Sequence, residues 1–120
     1  MKITTAHRGR SAIVEISGRI DVYSASAVGE AIQSLIADGA QNLVLDVSSV
    51  TRIDSSGLGT LVGNAKSIAS YGGSISLVGI SDTVRKTLEI TNLGKYFRIH
   101  DRIDEALEGR EACTLSHTQS

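Results

Sequence analysis

One short segment of the chain places two hydroxyl groups and a carboxylate at the predicted start of a helix. It covers residues 51–59 and reads Thr-Arg-Ile-Asp-Ser-Ser-Gly-Leu-Gly. Asp54, Ser55 and Ser56 are residue types that cap helix N-termini, so residue type alone favours a structural cap. A phosphate carried on either serine would, however, meet free backbone N–H groups and the positive end of the helix dipole. A cap and a phosphoacceptor site are therefore both open interpretations of this segment.

Three glycines lie within two turns of the same predicted helix, at Gly57, Gly59 and Gly63. Glycine in a helix interior costs about 1 kcal/mol relative to alanine, so their presence needs a physical reason. Either this face of the helix packs closely against a neighbouring element, or another molecule approaches it closely. The two reasons are compatible, and the sequence favours neither.

A dinucleotide site and serine-hydrolase chemistry both fit this segment poorly. The glycine spacing is one residue off the dinucleotide fingerprint, and about eight residues separate Val47, at the end of the predicted central strand, from the helix. The motifs of a phosphate-binding loop and of a nucleophile elbow do not occur around Ser55 or Ser56. We therefore expect no cofactor and no catalytic residues in this segment.

A metal site and a phosphoacceptor receiver domain are disfavoured by the positions of the histidine and acidic residues. His7, His100 and His117 are scattered, and no spacing of His, Cys and Asp suggests a metal site. A receiver domain needs an acidic pair after its first strand and a lysine at a later strand end, and neither is in place. Asp46, next to the end of the predicted central strand, is therefore interpreted as a loop cap.

Strands and helices alternate along the part of the chain that must position this segment. Residues 3–7 and 12–17 are β-prone and flank a polar turn at residues 8–11, which predicts a hairpin. Gly18 is expected to break the second strand. The later alternation predicts parallel strands joined by right-handed helical crossovers. The later strands are predicted at residues 43–47, 75–78 and 97–100.

Four helices are predicted from apolar residues at helical spacing. The most regular pattern runs from Leu58 to Ala69 and should end at Gly72 and Gly73. We predict a single α/β domain over residues 1–109, in which about four helices flank a small mixed sheet with an N-terminal hairpin and otherwise parallel strands. The other helices are expected from a Ser24 cap to Gly39, from a Ser81 or Asp82 cap to between Asn92 and Gly94, and from Ile103 to Gly109.

Composition and charge limit the classes of function. The chain has 120 residues, of which 41% are hydrophobic and 21% charged, with a formal net charge of −1. These values are typical of one globular domain and disfavour a general electrostatic nucleic-acid binder. Cys113 is the only cysteine, so no intrachain disulfide can form and a reducing, cytoplasmic location is expected. Apolar runs are too short to span a bilayer, and the polar residues 110–120 are expected to form a flexible tail.

The segment with the serines resembles the signature of the STAS domain, and the closest similarity is to the bacterial anti-sigma-factor antagonists. The string Asp-Ser-Ser-Gly-Leu-Gly at residues 54–59 follows Leu-Val-Leu-Asp at residues 43–46 and Ile53. Residues 18–21, Gly-Arg-Ile-Asp, resemble the family's entry to its first helix. The resemblance covers residues 3–108 and includes two later landmarks, residues 72–78 and residues 91–94 with Phe97.

The resemblance implies a partner switch in which the protein is a kinase substrate and binding protein, not an enzyme. In the family, an anti-sigma factor of histidine-kinase-like fold phosphorylates the first serine of the motif, which is Ser55 here, with Ser56 as the alternative. The unphosphorylated form binds the anti-sigma factor and frees the sigma factor, and a PP2C-type serine phosphatase resets the switch. The residues to which the resemblance assigns partner binding are Asp21, Asp54, Ser55, Ser56, Gly57, Leu58 and Gly59.

A second interpretation is a STAS scaffold without a phosphoswitch, as a subunit of a signalling assembly or a transport system. The intact Asp-Ser-Ser at residues 54–56 argues against it, since a scaffold has no need of an exposed hydroxyl. An enzyme or nucleotide-binding protein that uses the glycine-rich helix start is a third and less favoured interpretation. Under the favoured interpretation we expect no metal, no nucleic-acid partner and no insertion into a membrane.

Overall fold

The computed structural model describes residues 2–107, which form five β-strands and four α-helices. The predicted end of the last helix at Gly109 and the predicted tail with Cys113 lie outside the described residues. The strands are β1 (Lys2–Arg8), β2 (Ser11–Ile20), β3 (Asn42–Ile53), β4 (Ser74–Val78) and β5 (Arg98–His100). The helices are α1 (Ala25–Ala37), α2 (Ser55–Ala69), α3 (Asp82–Thr91) and α4 (Ile103–Leu107), with a short 3₁₀ turn at Gly94–Tyr96.

The strands form one mixed sheet in the order β1-β2-β3-β4-β5. β1 and β2 pair antiparallel as a hairpin, and each later pair of neighbours is parallel. The predicted α/β class, with an N-terminal hairpin followed by parallel strands and four helices, is confirmed. Because each parallel connection returns through a helix, the carboxyl ends of β2 and β3 lie at the same edge of the sheet, next to the starts of α1 and α2.

Alternate residues of the strands divide between two apolar layers on the two faces of the sheet. Val14 and Leu45 belong to the main core, which also contains the buried faces of α1, α2 and α3. Ile13 and Val44 belong to a smaller core with Ala106 of α4. One face of the sheet therefore carries the three longer helices, and the start of α2 is held on that face.

β2 and β3 extend further than their apolar patterns predict, and this changes how the candidate site is held. β2 continues through Gly18, which adopts a φ of +95° beside an irregularity in its pairing with β3. β3 continues from Val47 to Ile53, and the two extensions pair with each other up to Ile20 and Ile53. The expected break at Gly18 and the expected loop before α2 are therefore wrong. Only Asp54 separates β3 from α2.

Two polar residues that were interpreted as caps make other contacts. Asp46 lies inside β3 and accepts hydrogen bonds from the backbone N–H of Ser48 at 3.0 Å and from its hydroxyl at 2.7 Å. The interpretation of Asp46 as a loop cap is therefore wrong. Ser24 does precede α1 directly, but its hydroxyl donates to the Arg19 carbonyl at 2.9 Å and makes no capping bond.

The ends of α3 follow the sequence signals closely. The Ser81 hydroxyl accepts a hydrogen bond from the Val84 N–H at 3.2 Å, so Ser81 rather than Asp82 is the cap. At the other end Asn92 adopts a left-handed conformation with a φ of 58°. Asparagine tolerates this conformation better than most residues, which explains why the helix ends there without a glycine.

Candidate functional site

Asp54 caps α2, and this leaves both serines free of that role. Its carboxylate Oδ1 accepts a hydrogen bond from the Gly57 N–H at 2.9 Å, and its carbonyl accepts one from the Leu58 N–H at 2.9 Å. The Asp54 N–H donates in turn to the Ile20 carbonyl at 3.1 Å. An aspartate at this position satisfies a helix N–H that would otherwise have no partner. The start of α2 is thus closed by its own cap and tied to the end of β2.

Ser55 and Ser56 are the first two residues of α2, and both are exposed. Backbone N–H groups at these positions have no acceptor within the helix. A phosphate on either hydroxyl would lie beside them, at the positive end of the helix dipole. The structure therefore presents an accessible alcohol on a rigid element, where an added dianion would not have to enter the core.

The three glycines of α2 do not share one explanation: one is explained by close packing within the protein, and two leave space that another molecule could approach. A Cβ atom on Gly57 would lie 2.5 Å from the carbonyl oxygen of Ile20 and 2.5 Å from its Cγ2 atom. At Gly59 and Gly63, which are exposed, a Cβ atom would meet nothing within 4 Å. Close packing therefore explains Gly57, whereas Gly59 and Gly63 leave part of the outer face of α2 without side chains.

Asp21, directly after β2, organises the entry to α1 around its carboxylate. Its Oδ1 accepts hydrogen bonds from the N–H groups of Tyr23 at 3.0 Å and Ser24 at 3.1 Å, and from the Ser24 hydroxyl at 3.2 Å. Desolvation acts to raise the pKa of Asp21, but these donors, helped by the charge of Arg19, together hold it below its ordinary value of 3.8. The ionised carboxylate is therefore an anchor of this loop.

The charge of Asp21 gives the fold a pH dependence that can be measured. Because its pKa is lowered on folding, ionised Asp21 stabilises the fold above pH 3.8, and this contribution is lost as the pH falls through the lowered value. Asp21→Asn keeps the side-chain shape without the charge. We expect it to be less stable than the wild type at neutral pH, with a difference that shrinks below pH 3.8. Urea unfolding over a pH series measures this difference, and one that stayed constant would contradict the role of the charge.

The structure brings Asp21 and Asp54 to one rim of the molecule. Ile20 pairs with Ile53 at the end of the parallel ladder, so the residue that follows each of them leaves the sheet at the same place. Of the residues expected to bind a partner, Asp21 and Asp54 are half-buried at this rim, and Ser55, Ser56 and Gly59 are exposed. The residues that line an open cavity at this rim are Arg19, Ile20, Asp21, Val22, Tyr23, Arg52 and Asp54.

Gly57 and Leu58 differ from the other expected partner-binding residues because both are buried. The Leu58 side chain is 2% exposed and belongs to the main core beneath α2. These two residues contribute to the rim by fixing the position of α2 on the sheet. Direct contact with another protein is left to the exposed residues around them.

Two exposed apolar side chains at the rim lie outside the residues that the sequence predicts for the site. Val22 is 59% exposed and Tyr23 is 90% exposed. They follow Asp21 and stand outside the helical apolar pattern that begins at Ala25, which is the signal that could have identified them. Exposed apolar side chains that cluster beside polar residues are typical of interaction surfaces.

The part of the chain that the structure describes offers no accessible histidine at the end of β5, no metal site and no membrane-spanning helix. His100, at the end of β5, is 2% exposed, which keeps its imidazole from any external substrate. Within residues 2–107 no group of three or more His, Cys, Asp and Glu side chains is placed to hold a metal ion. No helix among these residues is long and apolar enough to cross a membrane.

Known proteins share this fold and are similar in sequence along most of the chain. A family model described as the STAS domain matches residues 2–106. An anti-sigma-B factor antagonist of Staphylococcus aureus is 26% identical over 101 residues, which cover 84% of this chain and 94% of the relative. The crystal structure of an anti-sigma factor antagonist from Mycobacterium paratuberculosis superposes with a TM-score of 0.80 at 27% identity, and the match covers 90% of this chain and 92% of that chain.

A further protein, the Bacillus cell fate determinant SpoIIAA, shares the fold in two solved forms. Its unphosphorylated form gives a TM-score of 0.77 at 22% identity, over 90% of this chain and 95% of that chain. Its phosphorylated form gives a TM-score of 0.70 at 21% identity, over 90% of this chain and 98% of that chain. At this identity the likeness shows the fold alone. The match of residues 2–106 to the family model, by contrast, shows that the chain belongs to the STAS domain family.

Proposed function

We propose that this protein is an anti-sigma-factor antagonist whose binding is switched by phosphorylation of Ser55. The unphosphorylated form binds an anti-sigma factor that is also a serine kinase and so releases a sigma factor, and a PP2C-type phosphatase restores that form. The observation that carries the proposal is the exposed Ser55 at the first position of α2, which Asp54 leaves free of capping. The similarity to the Staphylococcus aureus antagonist along most of both chains supports the role.

The charge of a phosphate gives the switch its direction. Phosphorylation adds roughly −1.5 to −2 charge at neutral pH. The dipole of α2 stabilises the added negative charge by about 0.3–1 kcal/mol. This stabilisation is small compared with the cost of desolvating a phosphate in an interface that is shaped for a hydroxyl. Since each ~1.4 kcal/mol changes affinity tenfold, a loss of a few kcal/mol exchanges the partner without a large conformational change.

Ser55 is the proposed acceptor, and Ser56 is the alternative. Both hydroxyls are exposed at the start of α2, and the family resemblance selects the first serine of the motif. In this role the protein is a substrate and a binding partner and supplies no catalytic group of its own. The role places it in the cytoplasm, where a sigma factor meets its anti-sigma factor.

A pull-down before and after phosphorylation tests the proposal. The bait is the purified protein, and the probes are the serine-kinase anti-sigma factors of the same organism, purified and tested one at a time with MgATP. We expect one kinase to bind the unmodified bait, to phosphorylate it and to be released, with the phosphate mapped to Ser55 by mass spectrometry. Recovery of a transporter or other assembly instead, without phosphorylation, would favour the scaffold interpretation and contradict the proposal.

A further inference from the structure

Two arginines stand directly opposite each other at the rim. Arg19 of β2 and Arg52 of β3 are register partners in the parallel ladder, one residue before the pair Ile20 and Ile53. Both side chains are exposed, and both line the cavity that also contains Tyr23. The two strands therefore present a pair of neighbouring arginines at the edge of the sheet where Asp54 leads into α2, on the face opposite to the one that Ile20 and Ile53 turn to the main core.

Neither guanidinium is neutralised by an ion pair. Among residues 2–107, the charge pairs that approach within 4.0 Å join other residues, near Asp38 and near Asp104. The two carboxylates at the rim are occupied by backbone donors, because Asp21 Oδ1 accepts from the Tyr23 and Ser24 N–H groups and Asp54 Oδ1 from the Gly57 N–H. The charge of Arg19 does help to lower the pKa of Asp21, but it is the smallest of the causes.

This arrangement does not help the fold. Like charges on register partners of neighbouring strands repel each other, and nothing in the ladder offsets this repulsion between Arg19 and Arg52. Neither residue packs into a core, since both are exposed. A bidentate carboxylate or similar anion placed between the two guanidinium groups would relieve their repulsion and form charge-assisted hydrogen bonds with both.

We infer that Arg19 and Arg52 receive acidic side chains of the anti-sigma factor, while Val22 and Tyr23 provide the apolar contact beside them. This inference rests on the proposed function and adds the chemistry of the partner: an acidic segment with an apolar residue next to it. Charge complementarity selects this occupant, because the two arginines form no ion pair within 4.0 Å, whereas Asp21 and Asp54, which balance them in formal charge, each hold backbone N–H donors. Asp54, which lines the same cavity as both arginines, directly precedes Ser55, so the contact adjoins the segment that carries the proposed switch.

The inference also gives a reason for the direction of the switch. A phosphate on Ser55 would add a dianion to the same rim. It would repel an acidic segment of the partner and would compete with that segment for the two guanidinium groups. Phosphorylation would thus give a rim whose formal charges otherwise balance a net negative charge, which would oppose binding of the acidic segment.

Charge reversal of each arginine tests the inference with the anti-sigma factor recovered in the pull-down as the probe. We expect Arg19→Glu and Arg52→Glu each to weaken binding about tenfold or more in isothermal titration calorimetry. Arg52→Glu should unfold at an unchanged or higher temperature, because it replaces a cross-strand repulsion by an attraction. Arg19→Glu also removes the favourable charge of Arg19 beside Asp21, so it should unfold at a slightly lower temperature. Arg19→Gln, which removes only the charge, should give a smaller loss of affinity and a weaker dependence of binding on salt.

The matched control lies at the other end of β2. Arg8→Glu, at the end of β1, and Arg10→Glu, in the turn that follows it, change exposed residues and make the same change in net charge. We expect them to alter affinity by less than about twofold. An equal loss in these variants, or no loss in the Arg19 and Arg52 variants, would overturn the inference while leaving the proposed function intact.

A nucleotide is the other anion that the arginines would attract, and a separate titration tests for it. Saturable NMR shifts at Arg19 and Arg52 on titration with MgATP, without a partner, would overturn the inference in favour of a nucleotide contact. Failure of the wild type to bind any of the anti-sigma factors would overturn the proposed function, and the inference with it. Selective loss in the rim variants with retained folding supports both.

Discussion

Ser55→Ala is expected to abolish phosphate incorporation by the cognate kinase while leaving affinity for that kinase within about twofold of the wild type. The substitution removes the acceptor oxygen from an exposed position of α2. Alanine is favoured in helices, and the cap persists because Asp54 supplies the bond to the Gly57 N–H. Loss of phosphate without loss of binding would therefore report on the chemistry of the site and not on folding.

Ser55→Asp is expected to weaken the same binding by about tenfold or more, because it puts a permanent negative charge where the phosphate would add its own. Radioactive phosphate transfer and calorimetric titration against the purified kinase measure the two properties separately. Ser56→Ala, one residue further along α2, is the matched control for phosphate transfer and should be phosphorylated to the same extent as the wild type. Undiminished phosphate in Ser55→Ala would assign the acceptor role to Ser56, and unchanged affinity of Ser55→Asp would contradict the switch.

Much of the fold could be predicted because apolar residues repeat at the period of the element that contains them. The pattern of α2 identifies its buried face, with Leu61 and Ile68 fully buried. The extension of β3 could not be predicted in the same way, because Ser48, Ser49 and the residues at 51–52 are exposed and polar. Pairing with β2, a tertiary contact, holds this stretch extended where its own composition favours a loop.

The residues of the candidate site could be predicted from their types, but which of them caps α2 and which remain free could not. Asp54, Ser55 and Ser56 are all suitable caps, and the backbone bond from Asp54 to the Ile20 carbonyl sets the register that makes Asp54 the cap. That bond depends on the pairing of β2 with β3 and has no local sequence signal. The same pairing places Arg19 opposite Arg52, so the charged pair at the rim is visible only in the folded chain.

Gly57→Ala should be the most destabilising single methyl addition in α2, at about 2–3 kcal/mol, as expected for overpacking in a closely packed contact. The added Cβ would lie 2.5 Å from the Ile20 carbonyl oxygen, and backbone cannot yield as a flexible side chain does. Movement of that carbonyl would also strain its hydrogen bond from the Asp54 N–H at 3.1 Å. Urea unfolding of the variant measures the loss, and we expect the thermal midpoint to fall by roughly 10 °C.

Gly59→Ala makes the same chemical change two residues further along, in open space. It should stabilise the protein by up to about 1 kcal/mol, because alanine is the better helix former and nothing opposes the methyl group. Opposite signs for the two variants would separate packing from helix propensity, and a stabilising Gly57→Ala would contradict the close contact with Ile20. If the bare face around Gly59 contacts the anti-sigma factor, the stabilised variant should bind it more weakly, an effect that a loss of folding could not mimic.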